Sequence, residues 1–440
     1  MGQGKNLGLR TPTGKMKRCI LCFAHEDTVR FSGGLAKYIH EESALAAARG
    51  VAVATVFPLH VKQFPRLAKW ASRGWGGRWN GHWLGMHDWR GLASMVGNWE
   101  RHGWALSEIQ LHHIGGYDAE DLQRFLAVVP VRVRLFLHDY HTICRSAHLM
   151  KDGKTHCGTT PPCEAKCRSC QYWNVNWLAR MKKTLGSVGK RLKVTAPSES
   201  VARAWLESWP EFRKVVEVVP HWTTTRTVKG MGHTPGMRFR LAFAGGQSFH
   251  KGWNVWCQIV EELKKSGGNF DFLYFGLGHD IPRGVHAVAV REGEMVAALR
   301  RERVDFLCLW SVWPETFSYV YYEALQAGAW VLAPEMSGNI ASAIRRGRWG
   351  TVFRGASELL AFLQNERRMR ETLEGTGNLE RPEEMSVNTQ VMDTLPPAVP
   401  LGLTGGRARR LWAHEAVWKL KEWTGHAGQA GGTGHTASFV

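Results

Sequence analysis

The segment WPETFSYVYYEALQAGAWVLAP places Glu315 just before a helical stretch and Glu323 on it, with seven residues between them. Two carboxylates therefore gather near one helix N-terminus. The first N–H groups of a helix have no partner within it, and the aligned peptide dipoles leave positive charge there. Such a place receives a pyrophosphate on backbone donors, while the carboxylates accept from ribose and sugar hydroxyls. Each charge-assisted hydrogen bond is worth roughly 1.5–3 kcal/mol. Upstream, GGQSFHKGW follows a predicted strand and opens a helix, which puts Lys251 where it can neutralise a departing diphosphate. A third element, SGGLAKY, follows the first predicted strand, and Gly33 and Gly34 let backbone approach the same phosphates.

The elements that must hold these residues read as parallel sheets with crossover helices, because short apolar runs alternate with helical patterns from Lys17 onward. In the first half the predicted strands are Arg18 to Ala24, Val51 to Phe57, Ile109 to Ile114, Val131 to Leu137, Leu192 to Ala196 and Val215 to Val219. The second half repeats the pattern with RLAFA, FDFLYFG, VHAVAV, VDFLCLW, AWVLAP and WGTVF. A polar, Gly-containing segment from Thr223 to Met237 separates the halves. This organisation predicts an N-terminal extension over 1–16, a first domain over 17–225, a second over 226–374 and a Gly/Pro-rich tail over 375–440. Within that tail, 407–424 has the basic, tryptophan-bearing composition of a helix that lies on an anionic membrane.

With these motifs in this order, the sequence resembles the family-four retaining glycosyltransferases (glycosyl transferases group 1) from about residue 17 to 365. The resemblance rests on the Gly33-Gly34 loop, LHDYHTIC, APSESVARAWL, VVPHW, the HKG turn and ETFSYVYYEALQAG. It implies an α/β, GT-B type fold of two facing Rossmann-like domains with parallel sheets and an interdomain cleft. It also implies that Glu323 binds the ribose, Glu315 and His138 contact the transferred sugar, and Lys251 binds the diphosphate. Phe317 and Ser318 would offer backbone amides, and Asp139 would orient the loop behind His138. The donor would be a nucleotide-diphosphate sugar, with no metal cofactor, and the acceptor a glycan or lipid-linked molecule in surface polysaccharide or glycolipid synthesis. The family's arginine five residues before the diphosphate lysine is replaced by Gly246. SGNIA, beginning at Ser337, lacks the glutamate frequent in the family's following turn, and Thr316 and Ser318 stand where glycines are frequent.

A charge of +19 favours polyanionic partners, whether nucleic acid, anionic lipid or phosphorylated substrate. A basic nucleic-acid-binding protein is one competing reading, but it leaves the ordered donor motifs unexplained. A sugar-nucleotide epimerase or hydrolase on the same fold is the other. No run reaches the roughly 18–20 apolar residues that a spanning helix requires, and Asn6 stands where a myristoylation motif needs Ser or Thr. The expected location is cytoplasmic, with peripheral contact at the inner membrane face.

Nine cysteines without an export signal argue against a disulfide framework. Cys157, Cys163, Cys167 and Cys170 could close around a structural zinc, at a spacing unlike a standard pair of C-x-x-C motifs. Cys19 and Cys22 should point to opposite faces of a strand and into cores. His112 and His113 end a predicted strand, facing the cleft or capping the sheet. Residues 59–108 interrupt the alternation with Gly and seven tryptophans, including Trp75 and Trp79, and suggest an inserted acceptor surface on which indoles stack against sugar.

Overall fold

The computed structural model describes residues 16–59, 74–158, 161–230, 235–399 and 401. In the first half, the strands are β1 (Lys17–Phe23), β2 (Ala52–Pro58), β3 (Trp75–Trp79), β4 (His82–His87), β5 (Trp104–Leu111) and β6 (Arg132–Phe136). There follow a short hairpin of β7 (Met150–Lys151) and β8 (Thr155–His156), then β9 (Leu192–Ala196) and β10 (Val216–Val218). Eight of them form one sheet in the order β10-β9-β6-β5-β1-β2-β3-β4. Its first six members are parallel, and β3 and β4 extend the edge in antiparallel fashion. After β11 (Trp222–Lys229) come β12 (Phe239–Ala244), β13 (Phe270–Phe275), β14 (Val285–Val288), β15 (Phe306–Cys308), β16 (Trp330–Pro334) and β17 (Thr351–Phe353). These six form a wholly parallel sheet, β14-β13-β12-β15-β16-β17.

Burial on both faces explains why these strands read as nearly continuous apolar runs. On the first sheet, Cys19, Leu21 and Phe23 enter the core shared with Leu92, Val96 and Leu122. Ile20 and Cys22 face the opposite core, beneath Tyr38 and Ile39 of the helix Gly34–Ala48. The two cysteines thus enter opposite cores, as strand alternation requires.

Within the tryptophan-rich segment, Trp75 and Trp79 are placed differently from the acceptor surface inferred above. Strand β3 pairs with β2, and Trp75 and Trp79 are only 2% and 9% exposed. Trp75 meets the ring of Trp89, and Trp79 lies between Trp99 and Trp104 at centroid distances of 4.9 and 5.3 Å. Residues two apart on a strand share a face, and this face is covered by the helix Trp89–Arg101, so both indoles fill core and are closed to an acceptor.

Composition also suggests loose chain from Gly375, but residues 375–399 are built into the fold. Strand β18 (Glu380–Val387) runs antiparallel to β11, with Trp222 opposite Val387 and Lys229 opposite Glu380. Beyond it, Val391, Met392 and Leu395 complete the core beneath the helix Gly34–Ala48. Arg132 donates to the Thr394 carbonyl at 2.7 Å, and the Val399 N–H donates to the Leu106 carbonyl at 3.1 Å. The polar sequence ERPEEMSV hides this strand because both faces of a two-stranded ribbon stay partly wet. The proposed membrane helix at 407–424 lies outside the described residues, as do 1–15. No helix among the described residues is long and apolar enough to cross a membrane.

Candidate functional site

Gly33-Gly34, His138, Lys251 and Glu315 all follow the carboxyl ends of strands, namely β1, β6, β12 and β15. Open parallel sheets bind ligands at these ends. Gly33 opens the helix Gly34–Ala48 at φ 154°, a backbone angle that side-chain-bearing residues rarely adopt. A Cβ on Gly34 would sit 3.9 Å from the ring of Tyr319, so the glycine loop lies against the start of the helix Tyr319–Ala327. Ser318 caps that helix by accepting from the Tyr321 N–H at 3.4 Å. The Ser318 amide, expected to face a phosphate, donates to Asn339 Oδ1 at 3.3 Å. Phe317 packs its ring against His221 and Tyr322 at centroid distances of 4.6 and 4.8 Å.

Each carboxylate is paired with a lysine. Lys251 ends the short turn Phe249–Lys251, and its Nζ lies 2.6 Å from Glu315 Oε1, which also accepts from Ser311 Oγ at 2.8 Å. The Glu315 backbone is fixed as well, since its carbonyl accepts from the Asn339 N–H at 2.8 Å. A Cβ on Gly338 would stand 2.6 Å from that carbonyl oxygen, so the close approach requires glycine. The second pair joins the two halves: Lys37 Nζ, from the helix Gly34–Ala48, lies 2.8 Å from Glu323 Oε1. Its ammonium lies over the rings of Trp222 and Tyr319 at 4.4 and 4.6 Å.

His138 joins this group from the other side. Its carbonyl accepts from Thr316 Oγ1 at 2.7 Å, while Ser198 Oγ donates to the Thr316 carbonyl at 2.8 Å. The chain between the two glutamates is therefore tied to the loop after β6 and to the segment after β9. Asp139 accepts from the His141 N–H at 2.6 Å and pairs with His113 at 3.1 Å. His112 and His113 diverge: His112 lies beneath the Gly34 helix and meets His138, whereas His113 meets His25 and Asp139.

No family model matches the sequence, and no curated protein matches it. Among solved structures, the chain is similar to the sucrose-phosphate synthase of Thermosynechococcus elongatus, with a TM-score of 0.53 at 12% identity. That match covers 93% of this chain and 98% of the synthase chain. It is also similar to Alr3699/HepE of Anabaena in complex with UDP-glucose, with a TM-score of 0.50 at 12% identity, over 90% and 99% of the two chains. Both likenesses span the two sheets together. The chain has the GT-B fold.

Within this GT-B cleft, Lys37 is the residue most readily overlooked in the sequence. Its signal is electrostatic, because a lysine in the first turn of a helix opposes the positive end of the helix dipole. A cation placed there needs a compensating partner, and Glu323 supplies it from 286 residues away. Gly246 has open space around its Cβ direction, with no atom within 4 Å. The thiols are arranged differently from the four considered for zinc. Cys163 is exposed, whereas Cys144, Cys157, Cys167 and Cys170 line a cavity with His156 and Trp173. Among the described residues, no three His, Cys, Asp or Glu side chains are placed to hold a metal ion. All nine cysteines are free.

The cleft histidines are held neutral by burial. Desolvation pushes His138 down to about 3 and His148 to about 4, with neighbouring cationic or histidine groups adding to the shift. His112, His113 and His221 are likewise lowered, first by burial. In the unfolded chain these rings protonate near 6.5. Between about 6.5 and the lower native values, the unfolded state binds more protons, so stability falls as pH falls. Glu42, raised by burial to about 8, and Glu41 and Asp139, also raised first by burial, act in the opposite direction, but the lowered histidines, which also include His141, His156 and His250, outnumber them. The thermal midpoint is expected to be lower at pH 5 than at pH 7.5 by differential scanning fluorimetry. An equal or higher midpoint at pH 5 would contradict the buried-histidine account.

Proposed function

We propose that this chain is a retaining glycosyltransferase that moves a sugar from a nucleotide-diphosphate sugar to a glycan or lipid-linked acceptor, in surface polysaccharide or glycolipid synthesis. The observation that carries this reading is the pair of lysine–carboxylate contacts, Lys251–Glu315 and Lys37–Glu323, at the strand ends of the GT-B cleft. In this reading, 17–225 is the acceptor-side domain and 226–374 the donor-binding domain.

Glu323 accepts from the ribose hydroxyls beside the start of the helix Tyr319–Ala327. Glu315 contacts the transferred sugar, held in place by Ser311 and by the backbone contact to Asn339. Lys251 stabilises the diphosphate as negative charge develops on it, which favours the transition state over the bound donor. His138 faces the same sugar from the opposite half. The positive charge comes from lysine and helix ends, so the reaction in this scheme uses no metal. The UDP-glucose complex of the similar Anabaena protein supports a sugar-nucleotide donor. A peripheral association with anionic membrane on the cytoplasmic side belongs to the same proposal.

A thermal-shift and calorimetric screen against UDP, GDP, ADP, dTDP and CMP sugars tests it. One nucleotide class is expected to stabilise the protein, and Glu323→Ala is expected to weaken that binding by roughly ten- to a hundred-fold, the equivalent of one lost charge-assisted contact. If no sugar nucleotide binds while nucleic acid binds tightly and in a salt-dependent manner, the transferase reading is wrong.

A further inference from the structure

Beneath the helix Gly34–Ala48, one face of the first sheet carries a run of polar side chains where apolar ones would pack. Glu108, Gln110 and His112 alternate along β5 and just beyond it, and Arg134 lies beside them on β6. Each is at most 1% exposed. Glu42 reaches in from the helix above and is also buried. Burying ionic groups costs several kcal/mol per ion before pairing, and a well-packed apolar set of similar volume is often at least as stable. The run therefore has little to offer the fold alone. It ends in the cleft, where His112 Nδ1 lies 3.0 Å from His138 Nε2.

The position of each proton follows from the amide of Gln110. Gln110 Nε2 lies 2.9 Å from Glu42 Oε1 and 3.2 Å from Glu108 Oε1. Glu108 is paired with Arg132 and with Arg134, so its oxygens accept. The amide nitrogen must face these two carboxyl groups, which turns Gln110 Oε1 toward Cys22 Sγ at 3.2 Å and His112 Nε2 at 3.3 Å. An amide oxygen only accepts, so His112 Nε2 carries hydrogen and its Nδ1 keeps a lone pair. Glu42 Oε2 lies 3.5 Å from the same ring nitrogen, beyond the range of an O–H donor. His138 Nε2 must then donate to His112 Nδ1. Both rings are neutral at physiological pH, since burial lowers each of them.

We infer that His112 is a positioning residue that fixes His138 as its Nε2–H tautomer, leaving Nδ1 to accept from a hydroxyl of the transferred sugar. This inference rests on the sugar-nucleotide reading of the cleft for its purpose, but not for the state of the ring. The logic is that of a general second contact that sets which imidazole nitrogen is free.

Long-range proton–nitrogen NMR of the full chain labelled with nitrogen-15 histidine reads the tautomer directly, with His138→Gln used to assign the signal. The wild-type protein is expected to show His138 protonated at Nε2 and bare at Nδ1. His112→Phe keeps a flat ring but removes the acceptor, and should lose this single-tautomer signature. His112→Asn retains an oxygen near the former Nδ1 and should restore it. A wild-type His138 protonated at Nδ1, or a tautomer unchanged in His112→Phe, overturns the inference. A wild-type His138 protonated at Nδ1 overturns the inference even if His112→Phe does not fold. Because these spectra need no donor, their failure is distinct from failure of the transferase reading, which the sugar-nucleotide screen reports.

Discussion

Lys251→Ala is expected to lower turnover by two to three orders of magnitude while leaving the protein folded. In the proposed reaction, negative charge grows on the departing diphosphate, and a preorganised donor aimed at such charge is worth on the order of 10²–10³ in rate. Alanine also leaves Glu315, which is 5% exposed in its side chain, without its cation, so the remaining carboxylate would repel the donor phosphates. Ser311 Oγ still donates to that carboxylate at 2.8 Å, which keeps its geometry and limits the effect on folding. Steady-state turnover with the nucleotide sugar identified by binding, together with a thermal midpoint, separates the two effects. Turnover within threefold of wild type would remove Lys251 from the chemistry.

The second large effect is conformational. Gly252→Ala should destabilise the protein by at least about 3 kcal/mol, the upper end of what overpacking a well-filled core costs. Gly252 has φ 82°, and an added Cβ would lie 1.9 Å from the Trp310 carbonyl oxygen, a backbone atom that no side-chain rotation can move aside. Strain in the left-handed region adds roughly 1–2 kcal/mol. The residue sits between Lys251 and the helix Trp253–Lys265, so the same change must displace the ammonium from Glu315. Gly246→Ala provides the control, because its Cβ would meet nothing within 4 Å. Urea unfolding should show a large fall in midpoint for the first variant and almost none for the second. Equal midpoints would mean that the loop yields where the geometry says it cannot.

The parallel strands were legible because burial on both faces writes them as apolar runs: RLAFA lies within β12, FDFLYF is β13, and LKVTA is β9. The third predicted strand, Ile109 to Ile114, was displaced, since β5 begins at Trp104 and carries Ser107, Glu108 and Gln110 inside. Polar residues that are buried for a purpose read as surface. Strand β3 was hidden by its own composition, because WGGRW has two glycines that β propensity disfavours. Those glycines admit neighbours, and a Cβ on Gly76 would come within 2.6 Å of the Phe57 ring. The candidate site was legible where a motif carries its own geometry, as with Lys251 in its turn and Glu315 before its helix. Lys37 was silent because its significance arises from a partner far along the chain, Glu323, 286 residues away, and the motif VVPHW marked His221 and Trp222 without showing what they would touch.

The return of the chain through β18 has a consequence for the order of assembly. Val391, Met392 and Leu395 occupy the apolar layer beneath the first long helix, and Leu401 joins the core on the opposite face of the same sheet. During synthesis, the amino-terminal half therefore emerges from the ribosome with part of its interior still untranslated. Domains that are contiguous in sequence can finish folding one after another. Here the earlier-made half must wait for a segment made after the whole second sheet, so its maturation is the closing of a clasp rather than the addition of a bead.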